Sequence, residues 1–183
     1  MIDFADVDAL FKKAHLLHGQ AEINAVMDKM AVEIKTKLGD TKPIMLCILN
    51  GALIFMGHLL TRLNFPLQID YVHVSRYRGE IQGRNLDWIA EPNGMLEGRT
   101  VVLVEDILDS GLTLSAVKDY CTKRRVKNVY TAVLIDKNHP RDPGGLAKAD
   151  FTGLYVEDKF LIGYGLDYKG FCRNLPGIYA VET

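Results

Sequence analysis

The feature that most constrains the fold is an uninterrupted apolar run at residues 101–104, followed by a short polar segment and then a helical pattern. Strands of parallel sheets have such runs because helices cover both faces of the sheet. The apolar positions after Thr113 recur at helical spacing, so the segment between them is predicted to be a strand-to-helix turn. The run therefore favours an α/β fold.

The rest of the chain repeats this alternation. Apolar residues form one stripe along residues 21–38 and stop at Gly39, which predicts an amphipathic helix. A second helix is predicted at residues 52–63. Further strands are predicted at residues 44–49, 67–74, 86–90 and 129–135. Strands that alternate with helices imply right-handed crossovers and a mainly parallel central sheet flanked by helices, with ligands bound beyond the carboxyl ends of the strands.

The length of 183 residues fits one domain, which we predict to span residues 1–183. Residues 21–150 would form its core. After residue 151 the pattern changes to short β-like pieces at residues 153–156, 160–164 and 178–181. We expect residues 1–20 and 151–183 to form a small hood over the crevice at the sheet edge.

Composition excludes several classes of protein. The formal net charge is −1 and the pI is near 6.5, so the chain lacks the basic footprint of a nucleic-acid or membrane-surface protein. Cys47, Cys121 and Cys172 are far apart and lack ligand spacing, which argues against a disulfide framework or a zinc site. No apolar stretch reaches the roughly 18 residues of a membrane span. A cytoplasmic protein without membrane or nucleic-acid partners is predicted.

The polar segment after residue 104 has the chemistry of a sugar-phosphate site. The first N–H groups of a helix lack internal partners, and Ser110, Gly111 and Thr113 allow a phosphate to approach them closely. Glu105 and Asp106 would repel a phosphate unless they accept hydrogen bonds from sugar hydroxyls or help to hold a divalent cation. Asn50-Gly51 and Asp136-Lys137 also follow predicted strands, so three loops should converge on one crevice.

Two segments carry a family resemblance. Residues 101–113 resemble the phosphoribosyl pyrophosphate motif of type I phosphoribosyltransferases, in its hypoxanthine-guanine form, and residues 158–168 closely resemble the second long motif of that family. The resemblance implies the type I phosphoribosyltransferase fold and a purine-salvage activity. The 5-phosphoribosyl group would pass from phosphoribosyl pyrophosphate to N9 of hypoxanthine or guanine, with Mg²⁺ as cofactor. It also implies a homodimer or homotetramer.

The resemblance further implies roles for individual residues. Asp109 would be the catalytic residue next to purine N7, where it would accept the proton or stabilise positive charge as N9 attacks. Lys137 would donate to the exocyclic O6 of the purine, Phe160 would stack on its ring, and the backbone of Leu161 would bind its polar edge. The residues implied to bind the phosphoribosyl group are Glu105, Asp106, Ser110, Gly111, Leu112 and Thr113.

Pyrophosphate and metal sites follow from the same resemblance. Asn50, Gly51 and Arg173 would bind pyrophosphate, although relatives often carry lysine or arginine where this chain has Asn50. A cis bond between Leu49 and Asn50 is an open alternative, since relatives often have one in this loop. Asp167 would coordinate Mg²⁺, assisted by Glu105 and Asp106.

The polar segment at residues 74–85 is predicted to be a mobile lid that excludes water. Many relatives have serine-tyrosine where this chain has Arg76-Tyr77, so a family role transfers to Tyr77 and not to Arg76. His15 and His18 are predicted to share a helical face at ligand-like spacing, but they lack an acid or cysteine partner, so a structural role is expected for them; His58, His73 and His139 are isolated. An alternative function is a regulator on the same fold that senses phosphoribosyl pyrophosphate and binds nucleic acid. The Walker loop of nucleotide-binding kinases and the glycine pattern of dinucleotide-binding dehydrogenases are absent from the sequence, which argues against both of these classes.

Overall fold

The structure, a computed structural model, describes residues 4–76 and 86–182. Its helices are α1 (Phe4–Lys12), α2 (Gln20–Leu38), α3 (Ala52–Leu60) and α4 (Leu112–Lys123). Its strands are β1 (Ala14–His18), β2 (Ile44–Leu49), β3 (Gln68–Arg76), β4 (Leu86–Ala90), β5 (Thr100–Leu108), β6 (Asn128–Asn138), β7 (Phe151–Glu157), β8 (Phe160–Ile162) and β9 (Ile178–Val181).

A six-stranded sheet forms the centre, with the strand order β4-β3-β2-β5-β6-β7. All neighbouring strands run parallel except β4, which is antiparallel to β3 at one edge. The predicted α/β class with a mainly parallel central sheet is therefore confirmed. Because the carboxyl ends of β2, β5 and β6 meet at one edge, the loops that follow them lie side by side.

Helices cover both faces of this sheet, which explains the uninterrupted apolar runs. Met45 of β2 packs in a core cluster with Phe55 of α3, and Leu46 packs in a second cluster with Val117 of α4. Adjacent residues of a strand point to opposite faces. Both faces of β2 must therefore be apolar.

The strands β5 and β6 extend well beyond the ends that the sequence pattern predicts. β5 continues to Leu108, so Glu105 and Asp106 lie within a strand and the turn itself is short. β6 continues to Asn138, which places Lys137 near the end of the strand. The backbone pairing of β5 with β6 explains the difference, since it continues past residue 105 whatever the polarity of the side chains. Conversely, α3 ends at Leu60, three residues before its predicted end.

A second, antiparallel sheet has the order β1-β9-β8 and combines the two ends of the chain. Helix α1 contacts the same region through the aromatic pair Phe4–Phe171, with ring centroids 5.9 Å apart, and the ion pair Lys169–Asp6 at 3.0 Å. The predicted hood boundary at residue 151 is wrong for β7. That strand pairs with β6 in the central sheet, because its Phe151, like Leu154 and Val156, is buried in the main core.

Candidate active site

A cleft of about 370 Å³ lies at the carboxyl edge of the central sheet, beside β2, β3 and β5. It joins segments that are far apart in the sequence. The residues implied by the resemblance that line it are Asn50, Gly51, Glu105, Asp106, Thr113, Asp167 and Arg173. The loops after β2 and β5 converge here as predicted, and the second long motif reaches the same cleft. The third loop predicted to join them does not line it, because Asp136 and Lys137 line a separate cavity.

Two glycines allow the walls of this cleft to meet. A Cβ atom added to Gly51 would overlap the carboxylate of Asp106, and one added to Gly165 would overlap the backbone carbonyl of Gly51. Gly165 also has a φ of +107°, which L side chains rarely adopt. The peptide bond between Leu49 and Asn50 is cis. Backbone of the β2 loop, the β5 acid and the second motif are thus in direct contact.

Asp106 is the most buried acid of the cleft, with 8% of its surface exposed. Burial raises the pKa of Asp106 to about 6, and the nearby carboxylate of Asp167 acts in the same direction. The guanidinium of Arg173 and the N–H of Ile107, which donates to Asp106 Oδ1 at 2.9 Å, oppose this shift. The carboxylates of Asp106 and Asp167 share one nearby guanidinium, that of Arg173, so a further cation bound here would be stabilised.

Arg173 and Asp167 form the second wall. Arg173 Nη2 lies 2.6 Å from Asp167 Oδ1, and its Nη1 donates to the carbonyl of Gly165. The other carboxylate oxygen of Asp167 accepts the N–H of Gly170 at 2.6 Å. These contacts fix both side chains relative to the backbone of the second motif.

The turn before α4 is a helix N-terminus open to an anion. Gly111 caps α4 with a φ of +79°. The segment at residues 142–146 supports the turn, since Asp142 N–H donates to the carbonyl of Ser110 at 3.1 Å and Leu146 N–H donates to that of Gly111 at 2.9 Å. The first backbone N–H groups of α4 can therefore act as phosphate donors.

Asp109 lies at the centre of a charged group beyond this turn. Its Oδ1 is 2.6 Å from His139 Nε2 and 3.5 Å from Lys137 Nζ. Lys137 also pairs with Asp158 Oδ1 at 2.9 Å, and the hydrogen bond from Lys137 lowers the pKa of Asp158. Asp109 and Lys137 thus lie close together, while their roles toward a purine stay predictions. The view of His139 as isolated is wrong.

Arg141 is a residue of this region that the sequence analysis missed. Its Nη1 donates to the carbonyls of Leu108, Asp109 and Lys137 at 2.8–3.1 Å, and its Nη2 pairs with the buried carboxylate of Asp136. It therefore ties the end of β5 to the end of β6. The sequence signal that could have identified Arg141 is its position four residues after Lys137, close to the predicted purine site.

Some predicted residues do not line the 370 Å³ cleft. Phe160 has 40% of its surface exposed, contacts the Tyr168 ring edge-on at 6.0 Å between centroids, and lines a separate cavity of about 410 Å³ beside α1. Leu161 next to it is buried. Lys137 lines a third cavity of about 550 Å³ together with His139. Their roles in purine binding stay predictions.

Only part of the predicted lid, residues 74–85, lies within the residues that the structure describes. Arg76 ends β3, while Tyr77 lies outside the described residues. Two neighbours in β3, His73 and Ser75, line the cleft although the sequence analysis gave them no role. His58, also considered isolated, lies with its Nδ1 2.6 Å from the hydroxyl of Tyr164.

Within residues 4–76 and 86–182, no three His, Cys, Asp or Glu side chains form a ready-made metal site. Magnesium needs none, because it commonly takes one or two carboxylates and completes its shell with water and substrate oxygens. Glu105, Asp106 and Asp167 line one cleft and fit that mode. The helices in the described part of the chain are all too short or too polar to cross a membrane.

Comparisons with known proteins agree with this geometry. A family model for the phosphoribosyl transferase domain matches residues 14–169. Hypoxanthine-guanine phosphoribosyltransferases of Aquifex aeolicus and Bacillus subtilis are each 35% identical to this chain; the alignments cover 93% and 89% of it, and 96% and 90% of the relatives. A hypoxanthine phosphoribosyltransferase structure from Staphylococcus aureus superimposes with a TM-score of 0.87 at 27% identity, covering 95% of both chains. The Trypanosoma cruzi enzyme in complex with the product IMP gives 0.86 at 28%, covering 93% of this chain and 95% of that one.

Proposed function

The chain belongs to the phosphoribosyl transferase family, and we propose that it transfers the 5-phosphoribosyl group of phosphoribosyl pyrophosphate to N9 of hypoxanthine or guanine. The products are IMP or GMP and pyrophosphate, so the enzyme acts in purine salvage. The observation that carries this proposal is the cleft in which the β2 loop, the β5 acids and the second motif meet. A phosphate, a ribose and a leaving pyrophosphate need this combination of donors and acceptors.

In this proposal the cleft holds the phosphoribosyl pyrophosphate. The turn formed by Ser110, Gly111, Leu112 and Thr113 binds the 5′-phosphate through the N–H groups that begin α4. Glu105 and Asp106 accept hydrogen bonds from the ribose hydroxyls. The backbone of Asn50 and Gly51, together with the Arg173 guanidinium, binds the pyrophosphate.

The purine lies next to Asp109 and Lys137. Lys137 donates to O6, and a 6-amino group there would leave this ammonium without an acceptor, at a cost of about 1–3 kcal/mol. Asp109 accepts the N7 proton, or stabilises positive charge at N7, as N9 forms its bond to C1′. Such a base contributes about 10² to 10⁴ in rate. Phe160 and the backbone of Leu161 complete the purine site.

Mg²⁺ is the proposed cofactor, held by Asp167 with Glu105 and Asp106. When bound, it supplies positive charge that stabilises the departing pyrophosphate. The raised pKa of Asp106 supports this assignment, since burial beside Asp167 disfavours the ionised carboxylate until a cation is nearby.

We further propose a homodimer or homotetramer in the cytoplasm. Ile69 and Tyr71 of β3 pair in register with Met45 and Cys47, so they point to the sheet face that carries α3, yet 63% and 42% of their surfaces are exposed. A second copy covering this face would bury them. Sedimentation analysis of the wild type and of a Tyr71→Lys variant tests this, and a monomeric wild type contradicts it.

One assay tests the main proposal. Purified protein is incubated with Mg²⁺, phosphoribosyl pyrophosphate and one of five bases: hypoxanthine, guanine, xanthine, adenine or uracil. Nucleotide should form with hypoxanthine or guanine and not with adenine or uracil, and Asp109→Asn should lower the turnover at least about a hundredfold. Binding of phosphoribosyl pyrophosphate without any nucleotide would instead favour the regulator.

A further inference from the structure

His139 contacts the proposed catalytic acid directly. Its Nε2 lies 2.6 Å from Asp109 Oδ1, which is the shortest contact of that carboxylate among the described residues. The local backbone places it there: His139 N–H donates to the carbonyl of Lys137 at 3.0 Å, which turns the chain back toward β5. Arg141 donates to the carbonyls of Asp109 and Lys137, and so ties this turn to the residue that follows β5.

The contact determines which atoms remain for a substrate. An ionised carboxylate only accepts hydrogen bonds, so a hydrogen bond here requires the His139 tautomer that carries a proton on Nε2. Lys137 Nζ, at 3.5 Å, approaches the same oxygen, Oδ1. His139 Nε2 and Lys137 Nζ therefore both approach the same oxygen of Asp109. Within residues 4–76 and 86–182 these contacts of the carboxylate involve Oδ1, so Oδ2 is the oxygen that we assign to the purine.

We propose that His139 is a positioning residue for Asp109, a role that rests on the proposed function. Its Nε2–H donates to Oδ1, fixes the plane of the carboxylate and directs Oδ2 toward N7 of the purine. A base that can rotate spends only part of its time in the geometry needed for proton transfer, and so loses rate. The histidine itself does not touch the substrate.

The same hydrogen bond keeps Lys137 available. Lys137 is shared between Asp109 at 3.5 Å and Asp158 at 2.9 Å. If His139 were absent, Oδ1 would lack its closest donor and would draw the ammonium of Lys137 away from the position where it meets purine O6. Loss of His139 should therefore lower kcat and raise the KM for the purine. The KM for phosphoribosyl pyrophosphate should not change, because that substrate binds in the other cleft.

Three variants test this proposal: His139→Ala removes the donor, His139→Gln retains an N–H donor, and His15→Gln is the matched control on the exposed edge of β1. We expect His139→Ala to lower kcat about tenfold and His139→Gln to recover it to within about threefold of the wild type. The KM for phosphoribosyl pyrophosphate should stay within about twofold in all three. His15→Gln should match the wild type.

A second measurement does not depend on activity. In proton NMR spectra the bonded Nε2–H should give a downfield imidazole resonance in the wild type that is absent from His139→Gln and from Asp109→Ala. A wild-type kcat in His139→Ala, or equal losses in the alanine and glutamine variants, would overturn the positioning role. A missing resonance in an active wild type would do the same. No nucleotide formation by a wild type that shows the resonance would reject the proposed function, and with it any catalytic role of this pair.

Discussion

Replacing Asp106 by asparagine should stabilise the ligand-free protein above pH 6, even though the residue is proposed to bind the ribose. Burial raises the pKa of Asp106 from 3.8 to about 6, so the folded chain at neutral pH carries a charge that its surroundings disfavour. Asparagine has the same shape and can still accept the N–H of Ile107 through its side-chain carbonyl. The substitution removes the charge and retains this hydrogen bond.

The size of the effect follows from the shift in pKa. One pKa unit corresponds to 1.36 kcal/mol, so a rise from 3.8 to about 6 corresponds to about 3 kcal/mol. The folded state binds this proton more tightly than the unfolded state. The carboxyl group therefore costs nothing well below pH 3.8, and its destabilising effect grows as the pH rises from 3.8 through about 6, above which it is constant. For a chain of this length the gain in Tm at pH 8 is about 6–12 °C.

The assay is thermal unfolding followed by circular dichroism between pH 4 and pH 8, without Mg²⁺ or substrates. Asp119→Asn, on the exposed surface of α4, is the control and should change the stability by less than about 0.5 kcal/mol at any pH. A gain for Asp106→Asn that is equally large at pH 4 would refute the electrostatic explanation. A loss of stability at pH 8 would refute it as well.

Three further outcomes are expected. Gly165→Ala should lower the free energy of unfolding by about 2 kcal/mol or more, because its Cβ meets a backbone carbonyl, and it should weaken phosphoribosyl pyrophosphate binding measured by calorimetry. Gly170 is also at positive φ but has open space around it, so Gly170→Ala should cost only about 1 kcal/mol. Lys137→Met should reduce the preference for hypoxanthine over adenine in competition assays, and an unchanged preference would exclude the O6 contact. Arg141→Met should destabilise the fold by about 3–5 kcal/mol in urea unfolding, because it leaves the Asp136 charge buried, and adding Asp136→Asn should restore part of the loss.

The cleft shows where sequence reasoning is strong. The turn before α4 could be predicted because its anion-binding capacity is local: a helix N-terminus with glycine and hydroxyl side chains needs no distant partner. Asn50, Gly51 and the acids of β5 could be placed near each other because parallel strands end at one edge of a sheet. These residues do line one cleft.

The ends of β5 and the boundary of the hood show where reasoning from the sequence fails. A change from apolar to polar residues at Glu105 indicated the end of the strand, but the neighbouring strand β6 continues the pairing. Likewise, β7 was assigned to the hood because its pattern is short and irregular, yet its side chains complete the main core. Pairing and burial depend on neighbours that are distant in sequence.

The sequence by itself determined the α/β class, the positions of most strands and helices, and the identity of the loops at the functional edge, because periodicity and strand-to-helix turns are properties of short segments. The tertiary structure alone decided which side chains touch. It placed His139 against Asp109, Arg141 across two strand ends, and Gly165 against the β2 loop. Such contacts depend on the register of the strands and on the path of the loops, and both are fixed only when the whole core packs.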